Sequence, residues 1–238
     1  MVQEHILNPF NTKKLFGFKK ELNDLINLQK NNKFPKVLLL SGKKGLGKFT
    51  LITHFLNYTF DENNYDLSSQ TINNNSLICK NISSGNFQNI IYLRNDSLKK
   101  TKIDDIRNLK SLLFKSTFNN KPRFIIIDDV ELLQLSSSNA LLKIIEEPTE
   151  KNFFILINNK FNDLIETISS RCLENKIFLN PKTRLEILKN LIRIYDTEIV
   201  LDFDAHSELS PGTFLAYNSI CLENKITIDQ EYLIKIDT

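Results

Sequence analysis

Gly42-Lys43-Lys44-Gly45-Leu46-Gly47-Lys48 reads G-x-x-x-x-G-K, and its surroundings restrict the fold more than any other part of the chain. Pro35 precedes the apolar run Val37-Leu38-Leu39-Leu40, of the kind found in strands buried on both faces of a parallel sheet. Leu51 to Tyr58 then resumes with helical spacing. Between a buried strand and a helix, such a loop cradles phosphate. Its glycines let backbone N–H groups curl around the anion, the helix N-terminus adds a favourable dipole, and Lys48 reaches the β- and γ-phosphates.

The rest of the chain repeats the strand-then-helix pattern. Leu22, Leu25, Ile26 and Leu28 mark a short amphipathic helix within residues 18–30. Residues 59–88 are polar and read as a loop-rich insertion. Ile90-Ile91-Tyr92-Leu93 is a second strand. From Asp104 a helix carries Ile106, Leu109, Leu113 and Phe114 on one face. Phe124-Ile125-Ile126-Ile127 is a third strand, ending in Asp128-Asp129. A helix from Ser136 to Glu147 is stopped by Pro148. Phe153 to Ile157 is a fourth strand, ending in Asn158-Asn159, and Ile177-Phe178-Leu179 is read as a fifth. Short apolar strands separated by helices imply an α/β fold with a parallel sheet. After residue 177 the signals turn helical: Asn180 caps a helix with Pro181 at its first position, and Ile187, Leu188, Leu191 and Ile192 supply the buried face. The expected division is a nucleotide-binding-like α/β domain over residues 1–177 and a helical lid over 178–238.

Composition removes several classes. A net charge of +3 is too small for a histone-like polyanion binder, and no uninterrupted apolar stretch is long enough to span a membrane. The N-terminus lacks the basic-then-apolar order of a signal peptide. Cys79, Cys172 and Cys221 lie far apart without a Cys-x-x-Cys pair, so no zinc site is expected and a reducing cytoplasm is. His5, His54 and His206 form no catalytic set, and the run Lys99-Lys100-Thr101-Lys102 reads as a solvated edge.

The loop departs from a hydrolytic pattern at one position. The residue after Lys48 should bear a hydroxyl for Mg²⁺, and here it is Phe49. Thr50 comes one residue late, about 100° around the helix. The loop is therefore either kept for its fold, with weak or no nucleotide binding, or still able to hold phosphate through its glycines and Lys48. Asp128, at a strand's carboxyl end, is placed to hold Mg²⁺ through water. Asp129 stands where a hydrolytic site has Glu, one methylene short for activating water. Two acids capping the following helix are the other reading of that pair.

Asn139-Ala140-Leu141-Leu142-Lys143-Ile144-Ile145-Glu146-Glu147-Pro148 resembles the N-A-L-L-K-x-L-E-E-P signature of DNA polymerase clamp loader subunits. Ser170-Arg171-Cys172 resembles the family's S-R-C motif, and Asn159 falls at its sensor-1 position. Phe34 to Gly42 is similar to its lead-in to the phosphate loop, Ile103-Asp104-Asp105-Ile106-Arg107 to its I-x-D-x-I-R segment, and Ser210-Pro211-Gly212 to the S-P-G of its lid. The likeness runs over roughly residues 15 to 220. Phe49, Asp129 and Gly212, the last in the region where motor subunits carry a sensor-2 arginine, bring it nearest the bacterial delta-prime branch.

The resemblance implies an AAA+ type domain followed by a helical lid, acting within the complex that loads the sliding clamp onto primed DNA. The expected partners are the delta and gamma/tau subunits and, through the complex, clamp and DNA. The expected role is a stator with little or no ATP turnover of its own, ATP with Mg²⁺ being a doubtful cofactor. Arg171 is then an arginine finger supplied to a neighbour's ATP site. The nucleotide-facing set would be Gly42, Gly45, Gly47, Lys48, Thr50, Asp128, Asp129 and Asn159. Other readings are an active gamma/tau-like ATPase, a non-replicative scaffold with a relic loop and, for Arg171, an ion pair with Glu166 or Glu174. The family's third, helical collar domain is expected to be absent, since the chain ends at Thr238.

Overall fold

The computed structural model describes residues 8–73, 75–95, 101–114, 117–202 and 206–224. In chain order the elements begin with α1 (Lys19–Lys30), β1 (Val37–Ser41), α2 (Lys48–Phe60), β2 (Tyr65–Asp66), β3 (Thr71–Ile72) and α3 (Leu77–Ser83). They continue with β4 (Ile90–Arg94), α4 (Ile103–Leu113), β5 (Arg123–Asp128), α5 (Leu135–Ile145) and β6 (Asn152–Asn158). The last are α6 (Glu166–Ser169), β7 (Leu173–Lys176), α7 (Pro181–Tyr195) and α8 (Pro211–Asn224).

Five of the strands form one sheet in the order β4-β5-β6-β1-β7, every neighbouring pair parallel. The apolar runs of β1, β5 and β6 follow from burial on both faces. Leu38, Leu40, Phe124, Ile126, Ile155 and Ile157 pack with Phe18, Leu22 and Leu25 around α1 and Leu51, Ile52 and Phe55 of α2. Their neighbours Val37, Leu39, Ile125, Ile127, Phe154 and Leu156 face the other way, onto Ile106 and Leu109 of α4, Leu141 and Ile144 of α5 and Ile168 of α6. Alternation along each strand thus serves two layers of helix. A third, smaller core joins Leu188 of α7 to Leu201 and to Phe214, Leu215 and Cys221 of α8.

Register decides where the functional residues meet. Ser41 pairs with Asn158, Asp128 with Ile157, and Arg94 with Asp128, so β1, β4, β5 and β6 end at one level. The loops after β1, β5 and β6 therefore open at the same carboxyl edge of the sheet, the place where open α/β sheets bind ligands.

Several elements differ from the sequence reading. The fifth strand is Leu173–Lys176, ahead of the apolar Ile177-Phe178-Leu179. It pairs with β1 on one side only, so its residues face solvent and carry no apolar signal. Ile177 instead donates its N–H to Ser41 O at 2.7 Å and buries its side chain, while Phe178 is exposed. The stretch 59–88 holds the β2–β3 pair and α3, whose Cys79 and Ile82 join the core. Phe114 lies past the end of α4 and is 73% exposed, so it is no part of that helix's buried face. Helix α5 ends at Ile145 rather than Glu147. Asn180 does cap α7, its Oδ1 accepting the Thr183 N–H at 2.8 Å. His5, Lys99 and Lys100 lie outside the described residues.

Candidate functional site

The loop between β1 and α2 is held from outside and from below. Gly42 donates its N–H to Asn158 O at 3.2 Å, and a Cβ there would meet Ile177 O at 2.3 Å, so no side chain fits. Gly45 has φ +77° and stands against the start of α8, where a Cβ would lie 2.3 Å from Ser210 Oγ and 2.5 Å from the Thr213 nitrogen. This outer contact is a set of hydrogen bonds. Ser210 Oγ donates to Lys44 O at 2.5 Å, Thr213 Oγ1 to the same oxygen at 3.2 Å, and Gly212 N–H to Gly45 O at 2.9 Å. The Lys44 and Gly45 carbonyls are thus turned outward to the start of α8. The first bond closing α2 runs from Leu51 N to Gly47 O, so the N–H groups of Lys48, Phe49 and Thr50 have no partner within the helix.

Lys48 is 3% exposed. Its ammonium donates to Gly42 O at 2.6 Å and Lys43 O at 2.8 Å, bracing the loop. Burial lowers its pKa to about 8, against the pull of Asp128, Glu131 and Asp129. At neutral pH the cation remains in the site.

The acids of β5 are tied to the end of β6. Asn159 Nδ2 donates to Asp128 Oδ1 at 3.1 Å and to Asp129 Oδ1 at 2.5 Å. Asp128 Oδ1 also accepts its successor's N–H at 3.0 Å, and Oδ2 accepts the Tyr92 hydroxyl at 3.3 Å. Burial, with Asp129 next to it, raises the pKa of Asp128. Asp129 is buried with φ +53° and ψ +47°, a left-handed conformation that Asp tolerates better than most residues. Lys44 places its ammonium 3.6 Å from Asp129 Oδ2 and over the Phe161 ring, 4.7 Å from its centre.

Phe49 turns into the protein. It is 8% exposed, with ring centres of Phe10 at 4.8 Å and Tyr92 at 4.7 Å, an edge contact and a tilted one. The three rings pack together beside Asp128, whose Oδ2 accepts the Tyr92 hydroxyl. A metal of the Mg²⁺ kind requires near-octahedral oxygen ligation. Phe49 offers no oxygen at the position after Lys48, which leaves the site one protein ligand short of the usual set.

Of the sequence-selected residues, Gly45, Gly47, Lys48, Thr50, Asp128 and Asn159 line one cavity of about 540 Å³, while Gly42 and Asp129 back it. Arg171 lies elsewhere, on the surface after α6. Its Nε and Nη2 meet Glu146 Oε1 at 2.9 and 2.7 Å, and its Nη1 donates to Thr167 O at 2.9 Å. The expected partners Glu166 and Glu174 are thus replaced by Glu146. Bonding to Thr167 O swings the guanidinium over α6 toward the end of α5, and the Glu174 carboxylate is taken by Ser41 Oγ.

Sequence reading missed Lys44 and Glu131. Glu131 Oε1 accepts the N–H groups of Asn159 at 2.9 Å and Phe161 at 3.3 Å, fixing the loop that carries Asn159. Lys44 sits at a variable place in the motif, and nothing local marks Glu131 as facing β6. Helices α7 and α8 give the cavity Ile187, Leu191, Tyr195, Leu215, Ala216 and Tyr217, none of them charged.

A family profile described as "DNA polymerase III, delta subunit" matches residues 17–180. DNA polymerase III subunit gamma of Buchnera aphidicola subsp. Schizaphis graminum is 29% identical over 91% of this chain and 62% of its own length. Subunit delta' of the same organism is 30% identical over 72% of this chain and 52% of its own. The chain therefore spans less than two thirds of either relative. Among solved structures, the Holliday junction branch migration motor RuvB of Thermotoga maritima is similar with a TM-score of 0.54 at 19% identity, covering 96% of this chain and 72% of that one. That likeness is one of fold, an AAA+ type α/β arrangement with a helical part.

Proposed function

Because the chain belongs to the DNA polymerase III delta-subunit family of clamp loader AAA+ proteins, we propose that it is a delta-prime-like subunit, a stator that supplies Arg171 to a neighbour's ATP site and turns over little or no ATP itself. In this reading residues 1–177 are the nucleotide-binding-like domain and 178–238 the lid. The neighbours are a gamma/tau ATPase and delta, and the complex acts on the sliding clamp and primed DNA.

The observation that carries it is Phe49 packed between Phe10 and Tyr92. A hydrolytic site needs the metal to neutralise charge developing on the transferred phosphoryl. Here the ligand position is an aromatic ring, and the neighbouring Asp129 is engaged by Asn159 and Lys44. Arg171 is built for use in trans. It stands outside its own cavity, and its pairing with Glu146 is an exposed one, worth about 0–1 kcal/mol. A neighbour's phosphate, bound bidentately, can outcompete it.

The test is clamp- and DNA-stimulated ATPase of a complex assembled with delta and gamma/tau. The wild-type chain is expected to raise the rate, and Arg171→Ala to lower it by about 10³-fold at the neighbour's site while leaving assembly intact. Unchanged ATPase with Arg171→Ala sinks the finger. Mg²⁺-dependent turnover by the isolated chain would favour a gamma/tau-like motor, a reading to which the gamma relative lends weight.

A further inference from the structure

The guanidinium of Arg171 is held along one edge. Nε and Nη2 both meet Glu146 Oε1, at 2.9 and 2.7 Å, so the side of the fork faces the carboxylate. Nη1, on the far side, donates to Thr167 O at 2.9 Å. Ser170 Oγ stands 3.4 Å from Nη1, at the outer limit of a hydrogen bond. A guanidinium has five N–H groups, and these bonds to Glu146 and Thr167 engage one each on Nε, Nη1 and Nη2. The second N–H of Nη1 and of Nη2 form the end of the fork, a parallel pair of the kind that takes two phosphate oxygens at once. We propose that Glu146 is the positioning residue for Arg171, holding the side of the guanidinium so that its end is presented to the neighbour's phosphate. The inference rests on the reading of Arg171 as a finger and deepens it.

Both partners are fixed at the backbone. Glu146 ends α5 with helical φ −66° and ψ −40°, its N–H donated to Leu142 O at 3.0 Å. Arg171 stands between α6 and β7. Its own N–H reaches Ile168 O at 3.1 Å, and two residues on Leu173 pairs with Leu38 of β1. Ile168 is buried in one core with Leu141, Ile144 and Ile145 of α5, so arginine and glutamate ride on a single packed unit. A long side chain engaged in trans must be ordered as it binds, which costs entropy. A carboxylate already on the side of the fork sets the plane of the guanidinium before the neighbour arrives. Such placement matters, because an error of about 1 Å can slow a reaction about 10²-fold. The exposed pair is a weak source of stability, but orientation depends on its geometry and not on its depth.

The experiment is steady-state ATPase of the complex assembled from the full chain with delta, gamma/tau, clamp and primed DNA. Values of kcat and KM for ATP are compared among wild type, Glu146→Ala, Glu146→Gln, Arg171→Ala and the Glu146→Ala/Arg171→Ala double variant. Glu146→Ala is expected to lower kcat at the neighbour's site by about tenfold with KM within about twofold, since the finger acts on the transition state. Glu146→Gln keeps an oxygen acceptor at the same reach and is expected to recover most of the rate. In the Arg171→Ala background, Glu146→Ala is expected to change nothing further, because a positioning residue has no effect without the group it positions. A purely structural role would lower the rate in both backgrounds alike. A slow Arg171→Ala complex with Glu146→Ala at the wild-type rate, or an additive loss in the double variant, overturns the positioning role and leaves the finger standing. A Glu146→Ala rate above wild type also overturns it, the carboxylate then restraining the arginine. An unchanged rate in Arg171→Ala removes both readings.

Discussion

His54, on α2, faces neither solvent nor the loop cavity. Its Nε2 donates to Thr12 O at 3.1 Å, and its Nδ1 accepts the Tyr65 hydroxyl at 2.8 Å. Burial lowers its pKa to about 4, so the folded protein holds it neutral where the unfolded chain would protonate it. Between the ordinary value near 6.5 and 4 the unfolded state binds the extra proton. Stability present above pH 6.5 is therefore lost as the pH falls through that window, by up to roughly 3 kcal/mol. Urea unfolding at pH 7 and pH 4.5 should show the drop, and His54→Gln should flatten this part of the profile. At the same scale, the loop glycines, Lys48 and the Asp128-Asp129 pair were legible because phosphate chemistry constrains type and spacing. What Phe49 does was not. The sequence tells that a hydroxyl is missing, but only the structure tells that the ring in its place is buried against Phe10 and Tyr92. Arg171's pairing with Glu146 likewise crosses from α6 to the end of α5, a contact that no local pattern encodes.

Among the elements, those with two buried faces read most clearly. β1, β5 and β6 sit in the interior of the sheet and announce themselves as apolar runs. β7 is an edge strand of sequence Leu-Glu-Asn-Lys, held by backbone pairing to β1, and backbone pairing leaves no mark on side-chain type. α3 escaped notice because seven residues with two buried side chains make too short a period. α7 was legible from its cap and its Pro181. Asn180→Ala should cost about 1 kcal/mol by removing the acceptor for Thr183 N–H, read as a lowered urea midpoint with an unchanged slope.

On the scale of the whole molecule, α8 and the phosphate loop are one joint. Gly212 lies so close to Gly45 that a Cβ would stand 2.9 Å from its Cα and its carbonyl oxygen. Gly212→Ala must push the helix off the loop, and a destabilisation of about 1–3 kcal/mol is expected in chemical unfolding. The sequence showed a phosphate loop and, far downstream, Ser210-Pro211-Gly212. It did not show that the second fastens the first, because no pattern links residues that distant.

That distance has a consequence for how the protein comes into being. Ser210 and Lys44 are 166 residues apart, and Thr213 and Lys44 are 169. A chain emerging from the ribosome N-terminus first exposes the glycine loop well before the groups that grip its outer carbonyls. Contacts of such long sequence separation form late and slowly. The outer side of the loop thus stays unfastened until α8 has been made.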